Sequence, residues 1–165
     1  MSLALDWLRT KRGEDPMIYI DDVFRYAMAR LRNREDAEDI ACEVVQSLPN
    51  PCNRRELRIY MLGVARRKIA DHRRRDPEPP NRLDVDPSHR FDSQSDHAAM
   101  VESVLGRLSE DHREVLNLKY IVGLSCAEIG SLLGRKSVAI DSLLQRARAA
   151  FGAEWTRVTT EEVEW

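Results

Sequence analysis

The chain has 165 residues, room for one medium domain or two small ones, and is 42% hydrophobic, 33% charged and only 6% aromatic. A net charge of −2 excludes a globally basic protein, so the distribution of charge says more than its sum. Repeated turn signals are missing, and Gly and Pro are few outside two stretches, which argues against an all-β chain and for an all-α one.

Residues 1–16 read as a short amphipathic start (Leu3, Leu5, Trp7, Leu8) followed by a polar break. Helices are predicted over 17–48. Ile18, Val23, Phe24, Ala27, Met28 and Leu31 recur at three- and four-residue spacing. Asn33 then offers an N-cap, with Glu35 and Asp36 in the first turn, where negative charge suits the helix dipole. Ala37, Ile40, Ala41, Val44 and Val45 form the next apolar face, and Pro49 and Pro51 end it.

The following helix spans 55–75, with Leu57, Met61, Val64, Ala65 and Ile69 as its buried stripe and a cationic C-terminal half. Residues 76–97, broken by Pro77, Pro79, Pro80 and Pro87, read as a flexible linker with too few apolar groups to offset ordering. About 22 residues at roughly 3.3–3.6 Å each reach about 70–80 Å when extended.

A second helical unit follows over 98–151. Met100, Val101, Val104, Leu105 and Leu108 line one helix, and Ser109 caps another that carries Val115, Leu116, Leu118 and Tyr120. Gly123 breaks that helix. Ser125 and Glu128 then make an S-x-x-E capping box, Ile129, Leu132 and Leu133 face inward, Gly134 turns the chain, and Ser137 starts the last helix. Residues 152–165, with Glu161, Glu162 and Glu164, read as a solvated acidic tail.

Residues 124–148 have the grammar of a helix-turn-helix. Gly130 supplies the small residue where two helices approach closely, and Gly134 tolerates a positive φ. The second helix of such a unit enters the major groove of DNA and offers its N-terminal residues to base edges. Its exposed face is expected to contain Asp141 and Leu143, leaving positive charge to Arg135, Lys136, Arg146 and Arg148. An ordinary helical hairpin is the plainer alternative.

Two further segments carry concentrated charge. Helix 57–75 can grip phosphates along one face, and Tyr60 beside arginines is the mixture that stacks on unpaired bases; the alternative is a solvated basic face with Tyr60 in the core. Asp36, Glu38, Asp39 and Glu43 repel DNA and point to a protein partner with a basic surface, or to a solvated face. All four lie on one helix, with no second carboxylate-bearing segment to close a metal site, so a nuclease reading fails.

Cys42, Cys52 and Cys126 are widely spaced without C-x-x-C, and the four histidines are scattered, so neither zinc, another metal, a cofactor nor a disulfide framework is indicated. No catalytic triad or phosphate loop appears either. The N-terminus lacks a basic-then-apolar signal and no apolar run approaches membrane-spanning length, so the expected setting is the reducing cytoplasm, without membrane insertion.

Asn-Arg-Glu-Asp-Ala-Glu-Asp-Ile (33–40) with Glu43-Val44, then Tyr-Met-Leu-Gly-Val-Ala-Arg-Arg-Lys-Ile-Ala-Asp-His-Arg-Arg-Arg (60–75), resembles region 2 of the extracytoplasmic-function (ECF, group IV) sigma factors of bacterial RNA polymerase, within the sigma-70 family. Residues 108–134, closed by Arg-Ala-Arg-Ala-Ala (146–150), resemble region 4. The resemblance covers roughly residues 17–151.

It implies two small helical domains: a region 2-like bundle over 1–75, the linker 76–97, a region 4-like helix-turn-helix over 98–151 and the tail 152–165. Asp36, Glu38, Asp39 and Glu43 would dock on the clamp helices of the polymerase largest subunit. Arg58, Tyr60, Arg66, Arg67, Lys68, Arg73, Arg74 and Arg75 would bind and help melt the −10 element. Arg135, Lys136, Ser137, Ala139, Asp141, Ser142, Gln145, Arg146 and Arg148 would read the −35 element, and the same unit would touch the polymerase flap. Arg135 stands where the family usually packs the turn with an aliphatic residue, and Asp141 and Leu143 where it often carries bases.

The expected function is therefore transcription initiation: recruitment of core RNA polymerase to promoter DNA by a protein that is not itself an enzyme. An anti-sigma factor or similar inhibitor is the expected control. The alternative is a degenerate sigma-like protein or a stand-alone helix-turn-helix regulator acting mainly through protein contacts.

Overall fold

Caps and apolar spacings close into helices throughout. The computed structural model describes residues 15–49, 56–77 and 95–161, and holds seven α-helices and no strand among them. The amphipathic start at 1–14, most of the Pro-rich linker (78–94) and the last four residues lie outside the described residues. The chain divides into two compact units, Met1–Asp76 and Pro77–Trp165.

The first unit is a three-helix bundle. Asp15 accepts the Met17 amide at 2.9 Å and Pro16 presets the backbone, so a single 3₁₀ turn (Pro16–Tyr19) leads into α1, Ile20–Leu31. Val23, Tyr26, Ala27 and Leu31 are its buried face. Arg32 takes a left-handed φ of 57° and its amide closes on the Met28 carbonyl, a C-cap that glycine usually provides. Asn33 Oδ1 then accepts the Asp36 amide at 3.2 Å and starts α2, Arg34–Gln46.

The third helix, α3, runs Leu57–Arg75 and buries Leu57, Met61, Leu62, Ala65 and Ile69. The expected stripe differs at one place. Leu62 is fully buried and Val64 only half so, because the helical period sets Leu62 nearer the Ala65–Ile69 line. Burying Met61, Leu62 and Ile69 contributes roughly 1.5–3 kcal/mol each. α1 packs against both α2 and α3, and α2 against α3.

In the second unit α4, Ser95–Arg107, takes in residues 95–97 of the expected linker. Ser109 caps α5, Glu110–Leu116, as expected, and a π-helical turn, Asn117–Val122, continues it. Gly123 ends that turn with φ 82°. The capping box on α6, Cys126–Leu133, is fully formed: the Ser125 amide donates to Glu128 at 2.8 Å and the Glu128 amide to Ser125 at 3.2 Å. Gly134 turns with φ 66°, and α7 runs Ser137–Glu161.

Four expectations need correction. Leu143 is buried, not on the reading face, since it precedes Ala147 by four and follows Ile140 by three on the core side. Tyr120 and Val101 are exposed, the former because the wider π turn shifts the helical phase after Leu116. Leu132 and Leu133 are half-buried, while Ile129 is fully buried. Residues 152–161 are not a loose tail but continue α7: Trp155 stacks on Phe151 at 5.9 Å, Val158 is buried, and Glu154 reaches Arg107 on α4 at 3.9 Å. The apolar spacing 151–155–158 outweighs the acidic ending.

Candidate nucleic-acid interface

In the first unit, acids of α2 and bases of α3 lie on adjacent helices. Glu43 takes Lys68 Nζ at 2.9 Å, and Asp36 lies 3.4 Å from His72 Nε2. Glu38 pairs with Arg34 one turn back at 2.7 Å, and exposed Asp39 has no ion partner among the described residues. By the helical period Asp36, Asp39 and Glu43 lie along one side of α2 and Glu38 lies on the other edge of the helix, while Glu43 and Asp36 face Lys68 and His72 of α3.

The eight residues assigned to α3 separate into groups. Arg58 is drawn inward, its Nε 2.7 Å from Asp22, whose other oxygen takes Arg25 at 2.8 Å. Asp22 is among the few buried charged residues, so this pair fastens α3 to α1. Arg73 donates to the Arg30 carbonyl at 2.7 Å and fastens the other end. Tyr60 and Lys68 are half-buried. Arg66, Arg67, Arg74 and Arg75 are exposed, with Arg74 bonded to Asp71 at 3.1 Å. Arg67 and Arg74 project from the side of α3 opposite Met61, Ala65 and Ile69, and Arg66 stands exposed at the flank of that buried stripe.

The helix-turn-helix of the second unit is built by a close approach. A Cβ on Gly130 would sit 2.5 Å from the Arg135 carbonyl oxygen, so only glycine lets the turn fold over α6. Arg135 bonds Asp111 on α5 at 3.1 Å, which replaces aliphatic packing of the turn with an ion pair. Ile140, Leu143, Leu144 and Ala147 bury one side of α7. All nine residues assigned to −35 reading (135, 136, 137, 139, 141, 142, 145, 146 and 148) are exposed. They do not share one face. Arg148 turns to Tyr120, donating to its hydroxyl at 2.7 Å with the guanidinium 5.9 Å from the ring centre.

Two features were missed from sequence. Val138, in the first turn of α7, is 76% exposed and belongs with Asp141, Ser142 and Gln145 on the face opposite the core; the i, i+3, i+4, i+7 spacing was the available signal. An apolar groove of about 380 Å³ opens beside Arg148, walled by Val101, Leu105, Tyr120, Ile121 and Phe151. It depends on the π turn, which no spacing rule announces. Among the described residues no helix is long and apolar enough to cross a membrane.

Comparison with known proteins agrees with this geometry. Residues 98–151 match the family described as sigma-70, region 4. The chain is 30% identical over 144 residues to the ECF RNA polymerase sigma factor SigC of Mycobacterium tuberculosis, covering 81% of this chain and 77% of that one. It is 32% identical over 146 residues to the ECF RNA polymerase sigma factor ShbA of Streptomyces griseus, covering 74% and 76%. The sigma factor RpoE of Bartonella quintana, solved in complex with the anti-sigma factor NepR, shares the fold with a TM-score of 0.61 at 17% identity, over 90% of this chain and 95% of that one. With an N-cap, capping box and close glycine turn where a helix-turn-helix needs them, and relatives of that kind along most of its length, the chain belongs to the ECF RNA polymerase sigma factors.

Proposed function

We propose that this sigma factor works through four surfaces. The acids of α2 dock on the clamp helices of the polymerase largest subunit, led by Glu38 and Asp39, with Asp36 and Glu43 joining once they leave His72 and Lys68. The outward arginines of α3, Arg66, Arg67, Arg74 and Arg75, hold the −10 element, and Tyr60 supports strand opening. Arg58 and Arg73 act by bracing the helix that presents them. The outer face of α7 reads the −35 element, and the apolar groove beside Tyr120 receives the polymerase flap.

One observation supports this division more than any other: opposite charges are exposed on two different helices of one bundle, and Glu38, Asp39, Arg66 and Arg67 can each be reached without breaking the Lys68–Glu43 contact between those helices. The protein makes and breaks no covalent bond in this reading, since catalysis belongs to the polymerase. It acts in the cytoplasm beside that enzyme, and an anti-sigma factor or similar inhibitor holds it inactive, as the complex of the Bartonella protein suggests.

The test is transcription in vitro with core polymerase on a library of promoter fragments, with start sites mapped. The wild-type chain is expected to direct initiation from a restricted set. Glu38→Lys with Asp39→Lys should abolish core binding while the helical circular dichroism stays intact, because both side chains are exposed. Unchanged activity in that variant would instead support a regulator that never engages polymerase.

A further inference from the structure

The outer face of α7 is not the basic strip that phosphate attraction alone would select. Val138, Asp141, Ser142 and Gln145 stand at i, i+3, i+4 and i+7, all exposed, opposite Ile140, Leu144 and Ala147 in the core. Cations stand to the side: Arg135 is bonded to Asp111 and Arg148 to Tyr120. The centre of the face thus offers one apolar group, one carboxylate and two neutral polar side chains. Phosphates attract none of these strongly, whereas base edges distinguish among them.

Chemistry narrows what each can read. Val138 sits in the first turn of the second helix of a helix-turn-helix, where side chains meet base edges. The apolar feature of the major groove is the thymine C5-methyl. Asp141 is acceptor-only, so it needs a donor, and the groove offers the amino groups of cytosine and adenine. Adenine N6 lies beside N7, whose lone pair repels a carboxylate. Cytosine N4 lies beside C5–H, which does not. Gln145 Nε2 donates to Asp141 at 3.3 Å and steadies the carboxylate on this face. Residues three apart rise about 4.5 Å along a helix, against about 3.4 Å between base pairs, so the two contacts fall on adjacent or next-but-one pairs.

We propose that Val138 and Asp141 set the base preference of this sigma factor, Val138 reading a thymine methyl and Asp141 a cytosine amine one or two base pairs away. The inference rests on α7 being the helix that reads the −35 element.

The test uses the full chain with core polymerase on promoters randomised across the upstream element, with bound fragments sequenced. The wild type is expected to select thymine and cytosine at that fixed separation. Replacing the selected thymine by deoxyuridine removes only the methyl and should weaken wild-type binding about fourfold, the worth of one buried methyl group. Val138→Ala should be indifferent to the same replacement. Asp141→Asn should move the selected cytosine to adenine, since an amide pairs adenine through both a donor and an acceptor. If a −35 box is selected but neither variant changes it, the inference is overturned and the −35 reading stands. If nothing upstream is selected by the wild type, the −35 reading itself fails and takes the inference with it.

Discussion

α3 and α7 both carry the charge and shape of DNA-facing helices, yet they expose opposite chemistry. α3 is rich in cations, but Arg58, Lys68 and Arg73 are engaged within the bundle and Arg66, Arg67, Arg74 and Arg75 remain outward. α7 turns an almost uncharged face outward, while Arg135 in the turn before it and Arg148 along it are held against neighbouring elements. Charge density along a sequence is therefore not charge available to a partner. α3 is suited to hold backbone, where attraction is strong and indifferent to sequence, and α7 to discriminate bases with little affinity of its own.

The most forceful way to break this contrast is to remove the outward arginines of α3. On the proposed reading, Arg66→Ala, Arg67→Ala and Arg74→Ala together would delete three phosphate contacts. Holoenzyme binding to a promoter should fall about 100-fold at physiological salt, and the dependence of log K on log salt should flatten by about 2.7. The readout is a salt titration of fluorescent promoter fragments. A comparable loss with an unchanged slope would mean that these side chains act by shaping the protein, and the assignment of α3 to phosphates would fail.

Arg58 sharpens the same contrast from the other side. It looks like its basic neighbours in sequence but ends in an ion pair with Asp22, whose side chain is 12% exposed against 25% for Arg58. Arg58→Ala should destabilise the first unit by about 1.5–3 kcal/mol, the usual range for a hydrogen bond to a charged group. It should leave the salt slope of promoter binding unaltered. Urea unfolding followed by circular dichroism gives the first quantity and the titration above the second. Arg25 also holds Asp22, which keeps the effect below that of a wholly orphaned carboxylate.

What was legible in the sequence was local chemistry. Asn33, Ser109, the Ser125–Glu128 box and the Gly130 and Gly134 positions each depend on neighbours within a turn or two, and residue types alone reveal them. What was not legible depends on partners far along the chain. Asp22 and Arg58 are 36 residues apart, and Tyr120 and Arg148 are 28 apart. Leu143 was a failure of a different kind. The residue-by-residue reading sets it beside Asp141 on the exposed face, although the period of Ile140, Leu144 and Ala147 turns it inward.

The finest test concerns the contact where the two charged surfaces of the first unit meet. Lys68 and Glu43 are 28% and 55% exposed and 2.9 Å apart, so solvent screens them and their coupling in a double-mutant cycle should be only about 0.2–1 kcal/mol. That small value matters because both residues were assigned to partners outside the chain. A weak internal pair is released readily when Glu43 meets a basic helix of the polymerase, and Lys68 is then free to approach DNA. Lys68→Ala should accordingly leave core binding unchanged or slightly tighter, while Glu43→Gln should weaken it. Core-binding titrations of the two variants decide the point. A coupling well above this range, or an equal loss of core binding in both variants, would make the pair a structural brace like Asp22–Arg58 and would remove it from either interface.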